Sequence, residues 1–431
     1  MRFRIPWLES TVALVLLAGA APATAQQWLS DRARAEGRGI RLGDFELHPG
    51  IGTEIGYDSN IFLAEPDTEQ ASAILRVSPH FYLSTLSGER LQGVRPRLSF
   101  RTGVKAALKY YFAPKEGDIG VGQDARLVWA PGDVFSLELF DEFNRSIDPF
   151  SDPAGPVSSE ADQLAFARDQ LGVGTRLQLS TPGGLVKGGV GYRYDLDYFE
   201  DDLFRSNDNH SHTISADTSW EFLPKTALFW NGSLQFHSFD EPSSEALTDR
   251  TDSTRVSSKI GLNGALTQRV GFTLAGGYTA GFYDNDNDYE NVIAQVEARW
   301  RLRETMLWAL GYDREYGTAF QGNFARMDRV KTRLQALLGR VVVLGAKAEL
   351  TFVDFGFDDR VADLGGDPTR NDIHLLVNLN GEYRIIDWLA ITAEFGYLEN
   401  FTDFVYTFDM GMTDPAEYRR FEAWLGLRAF L

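Results

Sequence analysis

The chain has 431 residues, with 42 Lys+Arg against 61 Asp+Glu, a formal charge of −19 and no cysteine. So acidic a balance argues against nucleic acid as a partner, because phosphates need a basic face; the lack of thiols excludes a disulfide scaffold, a thiolate zinc site and a cysteine nucleophile. Apolar residues at 43% and aromatics at 13% exclude a chain that stays disordered for want of a core.

In chain order, the first feature is a leader. Arg2 and Arg4 precede an apolar run from Thr11 to Ala21, followed by Pro22-Ala23-Thr24-Ala25. A positive start, a short apolar stretch and small residues at the cut describe a secretory signal over 1–25, cleaved near Ala25. The run is too short to span a bilayer as a helix, and no later segment reaches 18 consecutive apolar residues. Residues 26–44 include the short helical pattern Trp28-Leu29-Ser30-Asp31-Arg32-Ala33-Arg34-Ala35-Glu36-Gly37. This segment is expected in the periplasm and is too small for a plug domain.

From residue 45 to 431 the dominant period is two. In Phe45 to Tyr57 the odd positions are apolar or neutral and the even ones are Glu, His or Gly. Successive side chains of a strand point to opposite faces, so this is a ribbon with one greasy and one polar side. Leu98, Phe100, Val104, Leu108 and Tyr110 alternate in the same way with Arg101, Lys105 and Lys109, and Val292, Val296 and Trp300 with Glu297, Arg299 and Arg301. Ribbons of about 13 residues exceed the usual soluble strand of about 5–6 and match a tilted strand that crosses a bilayer. The pattern predicts 18 strands, starting near residues 45, 74, 98, 121, 134, 169, 185, 210, 227, 254, 270, 291, 305, 327, 342, 372, 388 and 418.

Connection length supports a barrel independently. Short turns at Pro131-Gly132-Asp133, Thr181-Pro182-Gly183-Gly184, Leu223-Pro224-Lys225-Thr226 and Arg303-Glu304-Thr305 alternate with long connections at 144–168, 199–209, 239–253, 354–371 and 399–417. Outer-membrane barrels show this alternation of periplasmic turns and outer loops; a soluble sandwich, the competing reading, gives no reason for it. Trp129, Trp220, Trp230, Trp300, Trp308 and Trp388 fall at the short-turn ends. Tyr57, Phe112, Phe143, Tyr198, Phe282, Tyr316 and Tyr397 fall at the other, as two interfacial belts require. The expected fold is therefore an all-β, antiparallel, up-and-down transmembrane β-barrel in a Gram-negative outer membrane. It would contact lipid and lipopolysaccharide and be inserted by the barrel-assembly machinery. The last segment, Phe421 to Leu431, resembles the C-terminal strand that this machinery reads, with Phe430 one place before the end.

Function in such a fold is read from the inward face. An unplugged barrel of 16–18 strands leaves an aqueous channel. The inward phase carries Arg101, Lys105, Lys109, Arg299, Arg301, Arg329, Lys331 and Arg333 among other basic residues, together with nearly as many carboxylates. Two readings stand side by side: basic rungs for an anionic, hydrated solute, or cross-strand salt bridges that fill the interior.

Other motifs are weaker. Asp284-Asn285-Asp286-Asn287-Asp288-Tyr289-Glu290 opens like a calcium loop but has Tyr289 where Gly is required and Gln295 where Glu is required, so a solvated acidic turn is expected. His210 and His212 share a strand face with no third ligand in view and are expected as a loop-end pair; no metal or cofactor is called for. With six histidines and no readable nucleophile–base pair, and no phosphate- or nucleotide-binding signature, an enzyme is not expected.

Gly50-Ile51-Gly52-Thr53-Glu54-Ile55-Gly56-Tyr57-Asp58-Ser59-Asn60-Ile61-Phe62 resembles the opening of the porin type 2 family of β-barrels, whose recognisable element is the box Gly56-Tyr57-Asp58-Ser59-Asn60. Members of that family often accompany exopolysaccharide synthesis and export. The preceding Gly39 to Pro49 is similar to myxobacterial barrels thought to pass polysaccharide, which resemble the 18-strand alginate exporter in architecture. The resemblance implies passive passage of a hydrophilic polymer supplied by a periplasmic polysaccharide-export protein, with loops such as 144–168 and 354–371 as gates. It implies no catalytic residue. The alternatives are a general diffusion porin for small solutes and a barrel sealed by its own salt bridges.

Overall fold

The computed structural model describes residues 39–86, 96–146, 167–200, 205–240, 251–285, 287–319, 322–339, 341–356, 369–407 and 413–431. The leader, most of the segment before the barrel, and the greater part of loops 144–168 and 354–371 lie outside them.

Eighteen long strands form the wall: β2 (Phe45–Asp58), β3 (Ser72–Thr85), β4 (Leu98–Tyr111), β5 (Glu116–Trp129), β6 (Phe135–Ser146), β7 (Arg168–Ser180), β8 (Val186–Phe199), β9 (Asn209–Leu223), β10 (Thr226–Phe239), β11 (Ser253–Ala265), β12 (Val270–Tyr283), β13 (Tyr289–Arg303), β14 (Met306–Thr318), β15 (Phe324–Leu338), β16 (Val342–Gly356), β17 (Thr369–Ile386), β18 (Leu389–Phe401) and β21 (Tyr418–Phe430). Three strands among the described residues are short. β1 (Ile40–Leu42) folds back on Phe45–Leu47, so pairing begins five residues before the expected start. β19 (Val405–Thr407) and β20 (Thr413–Pro415) pair with each other. Each wall strand is antiparallel to its neighbours in sequence, and β2 pairs with β21 over nine positions, Gly50↔Phe430 to Asp58↔Glu422, which closes the cylinder.

The alternation in the sequence becomes two walls. Ile55 (59% exposed), Val190, Ile260, Leu274, Val292 and Leu425 point outward, whereas Glu54, Asp58, Glu297 and Arg428 point inward. So continuous an exposed apolar band is foreign to a soluble monomer. It is what lipid requires, because only a closed barrel satisfies every backbone group of a strand in hydrocarbon. Eighteen strands about 4.8 Å apart and tilted about 40° give a backbone cylinder about 36 Å across.

The aromatic belts hold with one exception. Trp129, Trp220 and Trp388 are outward and exposed at the turn end, and Trp300 stacks on Trp308 at 5.1 Å. At the other end Tyr397 donates to Glu399 (2.7 Å) and Tyr312 to Asp328 (2.5 Å), which puts phenol oxygens at the polar boundary. Tyr316 departs from its belt. The β13–β14 ladder stops at Ala294↔Arg314, leaving Tyr289–Ile293 paired only with β12. The β14–β15 hairpin thus leans over the mouth, and Tyr316 is buried, stacked on Tyr289 at 4.8 Å with Phe324 beside them. Arg255 on β11 donates to the Tyr316 carbonyl (3.0 Å), and Asn323 is tied to Asn285 (2.8 Å) and to the Asn287 carbonyl (3.0 Å).

Candidate functional site in the barrel lumen

The box Gly56-Tyr57-Asp58-Ser59-Asn60 sits where the first wall strand meets the last. Gly56 faces inward under the Trp424 indole, and a Cβ there would lie 2.3 Å from the ring. Tyr57 faces lipid and packs on Phe421, with centroids 5.5 Å apart. Asp58, fully buried, accepts both a 2.9 Å and a 3.0 Å bond from Arg420 Nε, and Arg420 also donates to Glu422 (2.7 Å). Ser59 extends the seam one step beyond the ladder: its N–H donates to the Phe421 carbonyl (3.0 Å) and its Oγ accepts the Phe421 N–H (2.9 Å). Asn60, also fully buried, turns the chain. Its Nδ2 donates to Ala64 O (2.7 Å) and Arg419 O (3.0 Å), and its Oδ1 accepts the Ala64 N–H. All five residues therefore lock the barrel seam.

A polar network continues inside the seam. Arg76 donates to Glu54 (2.6 Å), lies 3.7 Å from Glu394, and places its guanidinium 4.1 Å above the Trp424 ring. Lys109 faces inward opposite both Arg76 and Asp118. Near the outer rim Arg370 binds Asp372 (2.5 Å) and stacks on Phe355 and Phe404. Arg420, Glu422, Arg370 and Asp372 were absent from the basic rungs read off the sequence. The inward phase of Tyr418-Arg419-Arg420-Phe421-Glu422 was the available signal.

The named rung residues all face the lumen but behave in two ways. On the outer side of the wall's middle they are neutralised. Arg329 reaches Glu315 (2.9 Å), Glu349 (2.9 Å) and Asp313 (3.3 Å), and Lys331 pairs with Asp313. Toward the turn end, Arg299 contacts Glu297 (3.2 Å), Asn263 (3.0 Å) and Thr273 (3.1 Å). Arg301 and Arg333 have no carboxylate within ion-pair distance among the described residues, and neither does Lys105 at mid-wall, although Asp124, diagonal to it across the β4–β5 ladder, shares its charge with Lys105 and Arg101. Arg333 lies directly across the ladder from Lys347, which is itself paired with Glu349 (2.8 Å). Arg101 stands opposite Arg126 and sits 5.2 Å from the Tyr82 ring.

The other motifs resolve locally. Asn285 accepts the Asn287 N–H (3.3 Å) and Asp288 the Tyr283 N–H (2.7 Å), so both tie down their own turn, and Asn285 also holds Asn323 of the neighbouring hairpin. His210 and His212 face outward near the rim, His210 beside Asp240 (3.1 Å) and His212 with the Tyr192 hydroxyl (2.8 Å). Among the described residues no group of three or more His, Asp or Glu could hold a metal ion.

Closed wall, lipid-facing belt and charged lumen together define a transmembrane β-barrel of the outer-membrane class. No protein-family model matches the chain, and no curated protein matches it. Its shape is similar to that of solved outer-membrane proteins. The siderophore receptor PirA from Pseudomonas aeruginosa is 11% identical, over 91% of this chain and 81% of that one, with a TM-score of 0.46. The FrpB iron transporter from Neisseria meningitidis is 9% identical over 94% and 83%, with a TM-score of 0.46. OmpT of Vibrio cholerae is 11% identical over 91% and 100%, with a TM-score of 0.39.

Proposed function

We propose that this barrel is an outer-membrane channel for the export of a hydrophilic polymer, an exopolysaccharide, received from a periplasmic polysaccharide-export protein. The observation that supports passage is the inner wall, which carries charged and polar rungs inside an apolar outer wall, with aromatic clusters such as Tyr289, Tyr316 and Phe324 confined to the outer mouth. It offers a solute water and charge in place of hydrocarbon. The polymer in this reading comes from the resemblance of residues 50–62 to the porin type 2 family. The leader over 1–25 delivers the chain across the inner membrane, and no residue performs chemistry. The leaning β14–β15 hairpin acts as the constriction that a resting export channel needs.

The test has two parts. Purified barrel in planar bilayers conducts ions, and cells lacking the gene lose surface polysaccharide. Conduction with normal surface polysaccharide replaces this reading with the general diffusion porin, and a silent barrel replaces it with the sealed one.

A further inference from the structure

The wall is breached at one place. The β13–β14 ladder ends at Ala294↔Arg314, yet β13 runs on to Tyr289 and β14 to Thr318. In the other wall ladders among the described residues, pairing reaches to within a residue of the end of one strand. Beyond the breach the strands overlap instead of pairing. Tyr316 and Phe324, from the outward phase of the β14–β15 hairpin, pack against Tyr283, Tyr289 and Ile293, from the inward phase of β12 and β13. The hairpin therefore lies inside β13, and a slot between the two layers leads from the lumen to the outer surface.

The slot suits a lipid tail. Its lining is aromatic and aliphatic within a lumen otherwise charged: Tyr289 stacks on Tyr316 at 4.8 Å and meets Phe324 at 4.6 Å. Parting these layers breaks only contacts made by side chains, whereas parting paired strands strips backbone groups that hydrocarbon cannot satisfy. The free edge is finished locally, with the Val292 N–H donating to the Asn291 side chain (2.9 Å). Height fits as well. Counting from Trp300, Ile293 and Tyr289 lie roughly 18 and 28 Å above the tryptophan belt, at about 3.3 Å per residue and a tilt of about 40°. The apolar band of such barrels is about 25 Å tall, so the slot straddles the outer-leaflet boundary. Val292, 58% exposed, meets acyl chains at its lip. Arg314, paired with Asp328 (2.6 Å), faces the headgroup level beside it.

We infer that this slot is a side entrance for an acyl-chain amphiphile, whose polar head sits in the charged lumen while its tail passes between the layers to or from the outer leaflet. It adds a second path to the channel reading and does not depend on axial conduction.

The test is photolabelling of the wild-type barrel in phosphatidylcholine vesicles doped with a lipid that carries a diazirine on its acyl chain, the labelled residues being mapped by mass spectrometry. Tyr283, Tyr289 and Ile293 are expected to be labelled on the order of tenfold more than Ser215 and Ser257, inward residues of a fully paired stretch of wall. Because the chain has no cysteine, Asn291→Cys/Gly317→Cys joined by a bifunctional thiol reagent clamps the slot, and the clamp is expected to abolish the inner labelling. Label confined to lipid-facing residues such as Val292, or spread evenly over the lumen, overturns the inference. So does inner labelling that the clamp leaves unchanged. Conductance of the same preparation judges the channel reading separately. A conducting barrel without inner label loses the side entrance alone, and an inner-labelled barrel that never conducts loses only axial export.

Discussion

Replacing Arg420 by Met is the sharpest probe of the barrel seam. Arg420 is 3% exposed and Asp58 fully buried, and Glu422 completes the triad at 2.7 Å. Asp58 and Glu422 are direct cross-strand partners, so the substitution leaves two buried carboxylates facing each other with only Lys109 as a neighbouring cation. Removing one partner of a buried pair costs about 3–5 kcal/mol, mostly as the penalty on the stranded charge. Replacing the whole triad, Asp58→Leu/Arg420→Met/Glu422→Leu, removes both stranded carboxylates and should recover part of that loss, because apolar substitutes for buried ion networks are often neutral; the shortfall is Lys109, which loses the two carboxylates nearest it. Urea titration of the barrel in lipid vesicles, followed by tryptophan fluorescence, measures both; Trp424 lies two residues from Glu422 on the same face. A loss below about 1 kcal/mol for Arg420→Met, the range of an exposed pair, refutes the clasp, as does a triple variant no better than the single.

Four further outcomes follow from the geometry. Gly56→Ala forces a Cβ to 2.3 Å from Trp424 and should cost about 1–3 kcal/mol; the same titration should show the loss recovered on a Trp424→Ala background. Leu425→Arg places a charge on the lipid face and should cost about 2–4 kcal/mol in vesicles, whereas Ser233→Arg on the lumen face, across from Ser215 and Ser257, should change stability by only about 0.5 kcal/mol. Arg255→Ala with Asn323→Ala removes the side chains that tie the leaning hairpin, and open-channel conductance should rise; unchanged conductance removes the hairpin as a constriction. Asp208, in the loop before β9, has its carboxyl pushed up by burial, partly offset by the Phe199 N–H that donates to it. A raised carboxyl pKa in the fold disfavours the ionised form, so its penalty is absent at low pH and appears as pH rises through the raised value. Asp208→Asn, which keeps an acceptor for Phe199, should then stabilise the barrel at neutral pH and lose that advantage in acid, read from melting temperatures across pH.

Most of the wall was legible because lipid and water sort side chains with a period of two, and every expected strand start lies within five residues of the structure. The widest miss, β4 to β5, has a physical cause: Glu116-Gly117-Asp118-Ile119-Gly120 pairs along β4 yet carries too few apolar side chains to show the alternation. Tyr316 failed differently. Its phase was outward, but phase cannot reveal where a ladder stops, and the end of β13–β14 pairing at Ala294↔Arg314 carries that ring into the mouth. Which cations are neutralised was hidden for a related reason. The carboxylates on Arg329 come from both neighbouring strands, so only register decides between paired rungs and free ones. The box was the most readable motif and the least informative about transport. Its Asp58 waits for an arginine 362 residues downstream, and its Gly56 makes room for a tryptophan of the last strand. A motif under that constraint persists wherever the first strand must find the last, whatever the barrel carries.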